Sequence, residues 1–314
     1  MRRKQEDNVV SKCNIPVKQK RRLRPIYAVL AGVFRRDLVL LVPPTPAQSP
    51  GEGLKYTSNG DGTCYVSGIG TCADSDIVIP WQAPNGDRVT EIRLFAFSNC
   101  TSLTSVTIPD SVTSIGDFAF YRCSSLLSIV IPDSVTTIGE DAFYRCSSLA
   151  SIVVDGANPS YQSIDGNLYT KNGDMLIQYA IGKTDTHFEI PDSVTTIDGY
   201  AFTGCTSLTS VTIPDSVTII GERAFFECTS LTSIVIPNSV TTIGWQAFYE
   251  CTSLTSIIIP DSVTSIDWRA FYNCTSLTDV YYTGSEADWQ SISVGSDNEY
   301  LTSATIHYNY SIEE

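Results

Sequence analysis

One stretch of sequence recurs through most of this chain with a fixed period. Ile-Pro pairs begin at Ile108, Ile131, Ile190, Ile213, Ile236 and Ile259, and four of the five steps between neighbouring pairs have the same 23-residue length. The shared pattern is I-P-D-S-V-T-x-I-G-x-x-A-F-x-x-C-T-S-L-T-S-[VI]-x. One such unit is too short to bury its own apolar face, so the units must stack on one another.

The residues before each Ile-Pro pair have the pattern of a short strand. Leu103, Val106 and Ile108 are apolar and are separated by polar or β-branched residues. Alternation of this kind predicts a strand with one face in a core. Pro109 is expected to end the strand because it has no N–H to donate, and Asp110 suits the turn that follows.

The second half of each unit has a different apolar spacing. Ile115, Ala119, Phe120 and Cys123 stand at positions i, i+4, i+5 and i+8. This spacing predicts a helical segment of about two turns with one apolar stripe. Its alanine would allow a close approach to the sheet, and its phenylalanine would fill the core.

The repeat resembles the BspA-like leucine-rich repeat family, the 23-residue type of bacterial and some protozoan surface proteins. The resemblance covers roughly residues 75–283, and the motif is almost unchanged in residues 131–146, 213–228 and 259–274. It implies a repeat solenoid of the α/β to mostly β class. We expect a right-handed leucine-rich-repeat solenoid with short parallel strands, short helical segments, and β-hairpins as caps and insert.

The interruptions of the period divide the chain. Residues 1–50 are predicted to form a basic leader and linker, 51–78 an N-terminal capping hairpin, and 79–153 a first block of repeats. Residues 154–189 are rich in Asp-Gly and Asn-Gly turns and predict a β-hairpin insert. Residues 190–283 are predicted to form a second block, and the aromatic-rich residues 284–314 a C-terminal cap.

The first fifty residues have several interpretations. A basic region precedes the apolar residues 26–34, and Arg35-Arg36-Asp37 then interrupts the hydrophobic run. This outline fits an imperfect secretory signal or anchor, and each apolar piece is too short to span a bilayer. A disordered basic leader and sequence unrelated to the mature protein are the alternatives.

Charge separates the leader from the rest of the chain. Residues 1–50 contain 11 Lys and Arg against 3 Asp and Glu, whereas residues 51–314 contain 9 against 31. A net charge of −22 on the repeat region disfavours nucleic acid and anionic membranes, since phosphate contacts need clustered Lys or Arg. The repeat region contains no apolar run that predicts a membrane span.

Each regular unit carries one cysteine, at positions 100, 123, 146, 205, 228, 251 and 274. One thiol per unit forms a line, whereas a metal site needs ligands that converge on one point. We therefore predict packing positions and no metal. Cys64 and Cys72 flank a glycine-containing turn outside the repeat, and they are the candidate disulfide.

The sequence offers no catalytic arrangement. Neither His187 nor His307 has an evident partner for nucleophilic catalysis, and the sequence contains no glycine-rich phosphate-binding loop motif. The carboxylates that recur after Ile-Pro are one per unit and suit turns, although a ladder of calcium ions would use the same residues. We expect no enzyme activity and no cofactor.

Two surfaces are candidates for binding a protein. The strand positions that point outward form nearly chargeless rows, which end in Asp279 and Tyr281. The positions that vary most between units carry aromatics and Arg, which are enriched at interface anchors. The candidate residues are Tyr121, Arg122, Tyr144, Arg145, Phe226, Trp245, Tyr249, Trp268, Arg269, Tyr272, Asp279 and Tyr281. The alternatives are that the strand rows serve only to form the sheet and that the aromatics pack on the next unit.

The resemblance implies a surface or secreted protein that binds extracellular matrix, host proteins or other cells. We therefore expect a non-catalytic adhesion or protein-binding module that uses one extended recognition surface. The alternative is an intracellular interaction scaffold in the cytoplasm. The predicted caps favour a monomer.

Overall fold

The structure is a computed structural model that describes residues 52–311, so the leader prediction for residues 1–50 lies outside the described residues. The described chain is a β-solenoid built from stacked turns of backbone. This confirms the fold class that the repeat predicted.

Within residues 52–311 the elements are short strands, with two helices towards the C-terminal end. They are β1 (Lys55–Ser58), β2 (Thr63–Gly68), β3 (Asp76–Val78), β4 (Arg88–Ile92), β5 (Ser105–Thr107), β6 (Ser114–Ile115), β7 (Ser128–Ile131), β8 (Thr137–Ile138), β9 (Ser151–Val154), β10 (Tyr161–Ile164), β11 (Asn167–Thr170), β12 (Met175–Gln178), β13 (His187–Glu189), β14 (Thr196–Ile197), β15 (Ser210–Thr212), β16 (Ile219–Ile220), β17 (Ser233–Val235), β18 (Thr242–Ile243), β19 (Ser256–Ile259), β20 (Ser265–Ile266), β21 (Asp279–Tyr282), α1 (Glu286–Ser291), β22 (Ser293–Val294), α2 (Glu299–Thr302) and β23 (Thr305–His307).

Each regular unit contributes two strands that lie parallel to those of its neighbours. The first ladder contains β3, β5, β7 and β9, and later β13, β15, β17, β19, β21 and β23. Its register keeps equal positions opposite each other, since Ser233 pairs with Ser256 and Ser256 with Asp279. The second ladder contains β4, β6 and β8, and later β14, β16, β18, β20 and β22.

The segment predicted to be helical is a succession of turns. Phe118 and Arg122 have φ of 53° and 57°, in the left-handed region, and equivalent positions in the other regular units repeat this geometry. Amide groups of the segment bond to the next unit, as when Phe120 N–H donates to the Ala142 carbonyl at 2.8 Å. Two left-handed residues and bonds between units exclude an α-helix, so the helical prediction was wrong here.

Identical residues of successive units stack to form the core. The rings of Phe202, Phe225, Phe248 and Phe271 lie one above another with centroids 4.8, 5.2 and 5.3 Å apart. The Ala and Cys positions of these units are equally buried. Because the core repeats with the backbone, each unit depends on its neighbours for burial.

The segment predicted as a hairpin insert does more than form a hairpin. Strands β10, β11 and β12 pair antiparallel, but β12 also pairs in parallel with β14, and β13 with β15. The segment therefore supplies an irregular unit of the solenoid. The buried apolar residues form two separate clusters, one ending at Leu168 and the other beginning at Tyr169.

The ends of the described chain cover the core. At the N-terminal end β1 and β2 form an antiparallel hairpin, and β2 joins the second ladder through β4. At the C-terminal end β22 and β23 continue the two ladders, and Ile292 and Leu301 are buried against the last regular unit. No helix among residues 52–311 is long and apolar enough to cross a membrane.

Candidate protein-binding surfaces

The outward side of the first ladder is the first candidate surface, which we call the strand face. Its residues alternate with the buried positions of the same strands. They are Ser105, Thr107, Ser128, Val130, Ser151, Val153, Ser210, Thr212, Ser233, Val235, Ser256, Ile258, Asp279 and Tyr281. Parallel pairing in register fixes these side chains in straight rows.

Apolar side chains are exposed along the strand face. Val130, Val153 and Val235 keep 54%, 44% and 40% of their surface accessible, and the adjacent Leu127 keeps 58%. Sequence analysis did not select Leu127, although it replaces the Thr that the repeat usually has there, as at Thr104. That exchange of a polar for an apolar residue was the available signal.

The strand face ends in a cluster of rings. Tyr281 stacks on His307 and also contacts Tyr310, with centroids 4.7 Å apart in both pairs. His307 Nε2 lies 2.7 Å from Asp279 Oδ1. This hydrogen bond, with a second one from Thr278, lowers the pKa of the Asp279 carboxyl. The structure thus brings together two of the sequence candidates, Asp279 and Tyr281.

The second candidate surface lies over the turn segments, and we call it the aromatic ridge. It contains Tyr121, Arg122, Tyr144, Arg145, Tyr200, Arg223, Phe226, Trp245, Tyr249, Trp268, Arg269 and Tyr272, which include the other ten sequence candidates. Phe226 stacks on Tyr249 at 4.6 Å and Tyr249 on Tyr272 at 5.0 Å, while Trp245 stacks on Trp268 at 6.0 Å. The rings therefore cover one another's faces.

Arginines lie between the ring columns of the ridge. The Arg223 guanidinium lies 4.2 Å from the Trp245 ring, and that of Arg269 lies 4.1 Å from Trp268. Arg269 also donates to Asp297 Oδ2 at 2.7 Å, which lowers the pKa of that carboxyl. Sequence analysis missed Arg223, although Arg269, which it selected, stands at the equivalent position of a later unit. The contacts of Arg223 with Trp245 and of Arg269 with Asp297 join successive parts of the solenoid, whereas Arg269 and Trp268 lie in the same unit.

Two ridge arginines differ from the others. Arg145 reaches across the irregular unit and forms an ion pair with Glu227, so it joins the two repeat blocks. Arg122 is exposed, and its guanidinium lies 5.1 Å from the ring of its neighbour Tyr121. Arg122 is therefore the candidate on the ridge that is most available to a partner.

The cysteines of the repeat are buried hydrogen-bond donors. The thiol of Cys251 donates to the Phe225 carbonyl at 3.2 Å, and Cys274 to that of Phe248 at 3.0 Å. Burial raises the pKa of Cys274 to about 12, so this thiol is protonated and unreactive at neutral pH. The cysteines of the repeat are thus placed as buried packing residues.

Cys64 and Cys72, the two candidate disulfide residues, are both buried. Cys64 on β2 points into the core with its sulfur 3.8 Å from the Asp87 carbonyl, whereas the Cys72 sulfur lies 3.9 Å from Asp74 Oδ2. Burial, with a smaller effect of the two thiols, raises the pKa of Tyr56 to about 12. Both thiols therefore lie near the Tyr56 ring, and the disulfide between Cys64 and Cys72 stays a prediction.

The histidines and turn carboxylates that were considered for catalysis or metal binding lie apart from one another. His187 Nδ1 contacts the Ser210 hydroxyl at 2.8 Å on one strand pair, while His307 lies at the other end of the second block. The turn carboxylates Asp110, Asp133, Asp192, Asp215 and Asp261 form an exposed column beside the strand face. Among the residues that the structure describes, no three His, Cys, Asp or Glu side chains converge to hold a metal ion.

The chain belongs to the family described as the BspA type leucine rich repeat region. The model of that family matches in six copies, over residues 77–175 and 179–293. The resemblance drawn from the 23-residue unit is thereby confirmed. No curated protein matches the chain.

Solved structures of bacterial repeat proteins have the same fold. A leucine rich cell surface protein from Faecalibacterium prausnitzii is 27% identical, with a TM-score of 0.54 over 77% of this chain and 96% of that one. A leucine-rich repeat protein from Eubacterium ventriosum is 22% identical, with a TM-score of 0.54 over 84% and 95% of the two chains. At 22% identity, the similarity to the Eubacterium ventriosum protein concerns the fold alone.

Proposed function

We propose that this protein is a non-catalytic protein-binding module, displayed at the cell surface or secreted, and that its strand face is the recognition surface. One observation carries the proposal. Val130, Val153 and Val235 remain 40–54% exposed on a rigid ladder although their neighbours in the same strands are buried. Exposed apolar rows that no other part of the described chain covers are typical of interaction sites.

The strand face favours a protein partner over a small molecule. Its rows of Ser, Thr and Val form an extended surface with few charges instead of a concave pocket with converging polar groups. Recognition would use many small contacts, and the hydrogen-bonded ladder would limit the ordering cost of binding. The acidic column beside this face suits a partner with basic residues at the edge of its contact.

The surface location rests on the relatives. The family model covers most of the repeat region, and the Faecalibacterium prausnitzii relative is described as a cell surface protein. The partner would then be an extracellular matrix protein, a host protein or a protein of another cell. The chain would act as a monomer, and the aromatic ridge would stabilise the module while Arg122 offers a second, smaller contact.

The test uses the full chain in its native host and as purified protein. Intact cells are treated with protease, and the purified chain is presented to immobilised matrix and host proteins in a biolayer interferometry panel. The proposal predicts loss of the protein from protease-treated intact cells and saturable binding to at least one panel member. Full protection of the chain inside intact cells would contradict the surface location and support an intracellular scaffold.

A further inference from the structure

A cleft opens between the two repeat blocks on the side of the aromatic ridge. Its volume is about 380 Å³. Glu140 and Asp141 line it from the first block, and Asp198 and Tyr200 from the second. In regular regions, by contrast, each turn segment bonds directly to the next, as Phe118 N–H does to the Glu140 carbonyl at 3.0 Å.

The cleft results from a shortened turn in the irregular unit. Leu176 pairs with Ile197, and Tyr179 N–H donates to the Ala201 carbonyl as Phe202 N–H does to that of Ala224. Two residues separate Leu176 from Tyr179, whereas four separate Ile197 from Phe202. Two further residues at this point of the irregular unit would have filled the cleft. Gln178 lines the cleft and donates to the Tyr179 carbonyl at 2.9 Å.

Asp141 is the most enclosed carboxyl of the cleft. Its Oδ1 atom is buried without a hydrogen-bond partner in the described chain. Burial raises the pKa of Asp141 to about 7, and the charges of Glu140, Asp117 and Asp198 act in the same direction, while Arg223 opposes them. Burial also raises the pKa of Asp198. Glu222 and Tyr200 also line the cleft.

Few interactions hold the two blocks together on this side. The apolar core is divided into two clusters at the junction. Across the junction the ridge has the Arg145–Glu227 ion pair and a contact between the Tyr144 and Tyr200 rings, whose centroids are 6.4 Å apart. On the ridge side these two side-chain contacts stand where the regular units have stacked rings and backbone bonds. Elsewhere at the junction Gly182 N–H donates to the Leu149 carbonyl and Ile152 N–H to the Gly166 carbonyl, both at 2.8 Å. The ridge side of the junction is therefore held by fewer contacts than the ridge side of the regular units.

We infer that this cleft is a proton-sensitive hinge: protonation of the carboxyls around Asp141 holds it closed, and their ionisation opens it. In the closed form a charged Asp141 is desolvated beside other carboxylates, whereas opening admits water to all of them. Opening at the hinge would alter the angle between the strand-face halves of the two blocks. Binding to an extended partner would then depend on pH.

The direction of the pH effect follows from the raised pKa. A carboxyl with a higher pKa in the closed junction than in the open one stabilises the closed form fully below about pH 4, its ordinary pKa. That stabilisation is lost as the pH rises to about 7, the pKa of Asp141 in the closed form. Between pH 5 and pH 8 we expect the open fraction to rise about tenfold or more.

Hydrogen exchange of the full chain at pH 5 and pH 8 tests the hinge. Exchange rates of peptides spanning residues 138–146 and 196–204 are corrected for the intrinsic effect of pH and expressed as protection factors. In the wild type we expect protection to be about tenfold or more lower at pH 8. In Asp141→Asn we expect no such fall, because the amide is neutral at both pH values and Asn tolerates the left-handed φ of 54° at this position.

A matched control is Asp215→Asn, in a regular unit away from the cleft, which should behave as the wild type. Peptides from residues 241–251 should show no pH effect in any variant. If Asp141→Asn does not fold, Asp198→Asn replaces it. The hinge is contradicted by pH-independent protection of the wild-type junction, or by an equal fall in the wild type and the Asn variant.

Discussion

The strand face and the aromatic ridge repeat with the same period but meet their neighbours differently. On the ridge Trp245 stacks on Trp268, and Arg269 binds both Trp268 and Asp297. On the strand face Val130 and Val235 point away from the sheet and stay exposed. Large, flat side chains at equivalent positions of successive units stack and cover one another's faces. Small side chains that point outward from a sheet leave their outer surface exposed to solvent.

In the proposed function the ridge stabilises the module and the strand face binds the partner. Aromatics and Arg are enriched at interfaces, so ten of the twelve candidate residues from sequence analysis lie on the ridge, while Asp279 and Tyr281 lie on the strand face. Yet a ring that already stacks on both sides has little surface left for a partner. The strand face lacks large anchors, but its exposed apolar rows are preorganised by the backbone ladder. Substitutions on the two surfaces should therefore change different properties.

The largest effect is expected from a ridge tryptophan. Trp268→Ala removes the stack on Trp245, the contact with Arg269 and the hydrogen bond from Nε1 to Asp297 at 3.0 Å. We expect the free energy of unfolding to fall by about 2–3 kcal/mol. Urea denaturation followed by circular dichroism measures it. A change below about 0.5 kcal/mol, the size typical of a neutral surface substitution, would show that the ridge does not stabilise the stack.

A thiol beneath the ridge should have a smaller effect. Cys251→Ala leaves a small cavity and removes the thiol donor of the Phe225 carbonyl. The expected loss is about 1–2 kcal/mol in the free energy of unfolding. A thiol-reactive dye supplies the second readout, since the buried repeat cysteines should react only on unfolding. Rapid labelling of Cys251 in the native protein would overturn its role as a packing residue.

The ion pair between the blocks should contribute less again. A double-mutant cycle with Arg145→Ala and Glu227→Gln isolates their interaction. Because both side chains are partly exposed, we expect a coupling of about 0.5–1 kcal/mol that decreases with added salt. Denaturant melts of the four proteins measure it. Zero coupling at low salt would mean that this ion pair does not stabilise the junction.

The smallest effect on stability is expected on the strand face. Val235→Ser removes an exposed side chain, so the free energy of unfolding should change by no more than about 0.5 kcal/mol. Ile234→Ser, its buried neighbour in β17, is the matched control and should cost several times more. Similar losses from the two variants would show that Val235 is covered in the native protein.

Sequence analysis predicted the regular part of the molecule well. The period, the inward Leu, Val, Ile, Phe and Cys positions, and the family all follow from a pattern that every unit repeats. The helical segment failed because the spacing of Ile115, Ala119 and Phe120 is also met by turns that bond to the next unit. Phe118 has a left-handed φ, and its N–H donates to the Glu140 carbonyl of the next unit. That bond between units is visible only in the folded structure.

The irregular part was harder to predict because no second copy exists for comparison. Residues 154–189 were rightly expected to contain antiparallel strands, but β12 and β13 also continue the solenoid. The cleft beside Asp141 depends on two residues missing between Leu176 and Tyr179. Their absence becomes visible only when the backbone register aligns Leu176 with Ile197.

The separation of stability from recognition is tested most directly by affinities for one matrix or host protein that the chain binds. Kd is measured by biolayer interferometry for the wild type, Val130→Ser/Val153→Ser and Arg122→Ala, all confirmed as folded. We predict that the strand-face double variant weakens binding about tenfold or more, and that Arg122→Ala changes Kd by less than about threefold. Unchanged affinity of the double variant, with loss of binding in Arg122→Ala, would contradict this account and assign recognition to the aromatic ridge.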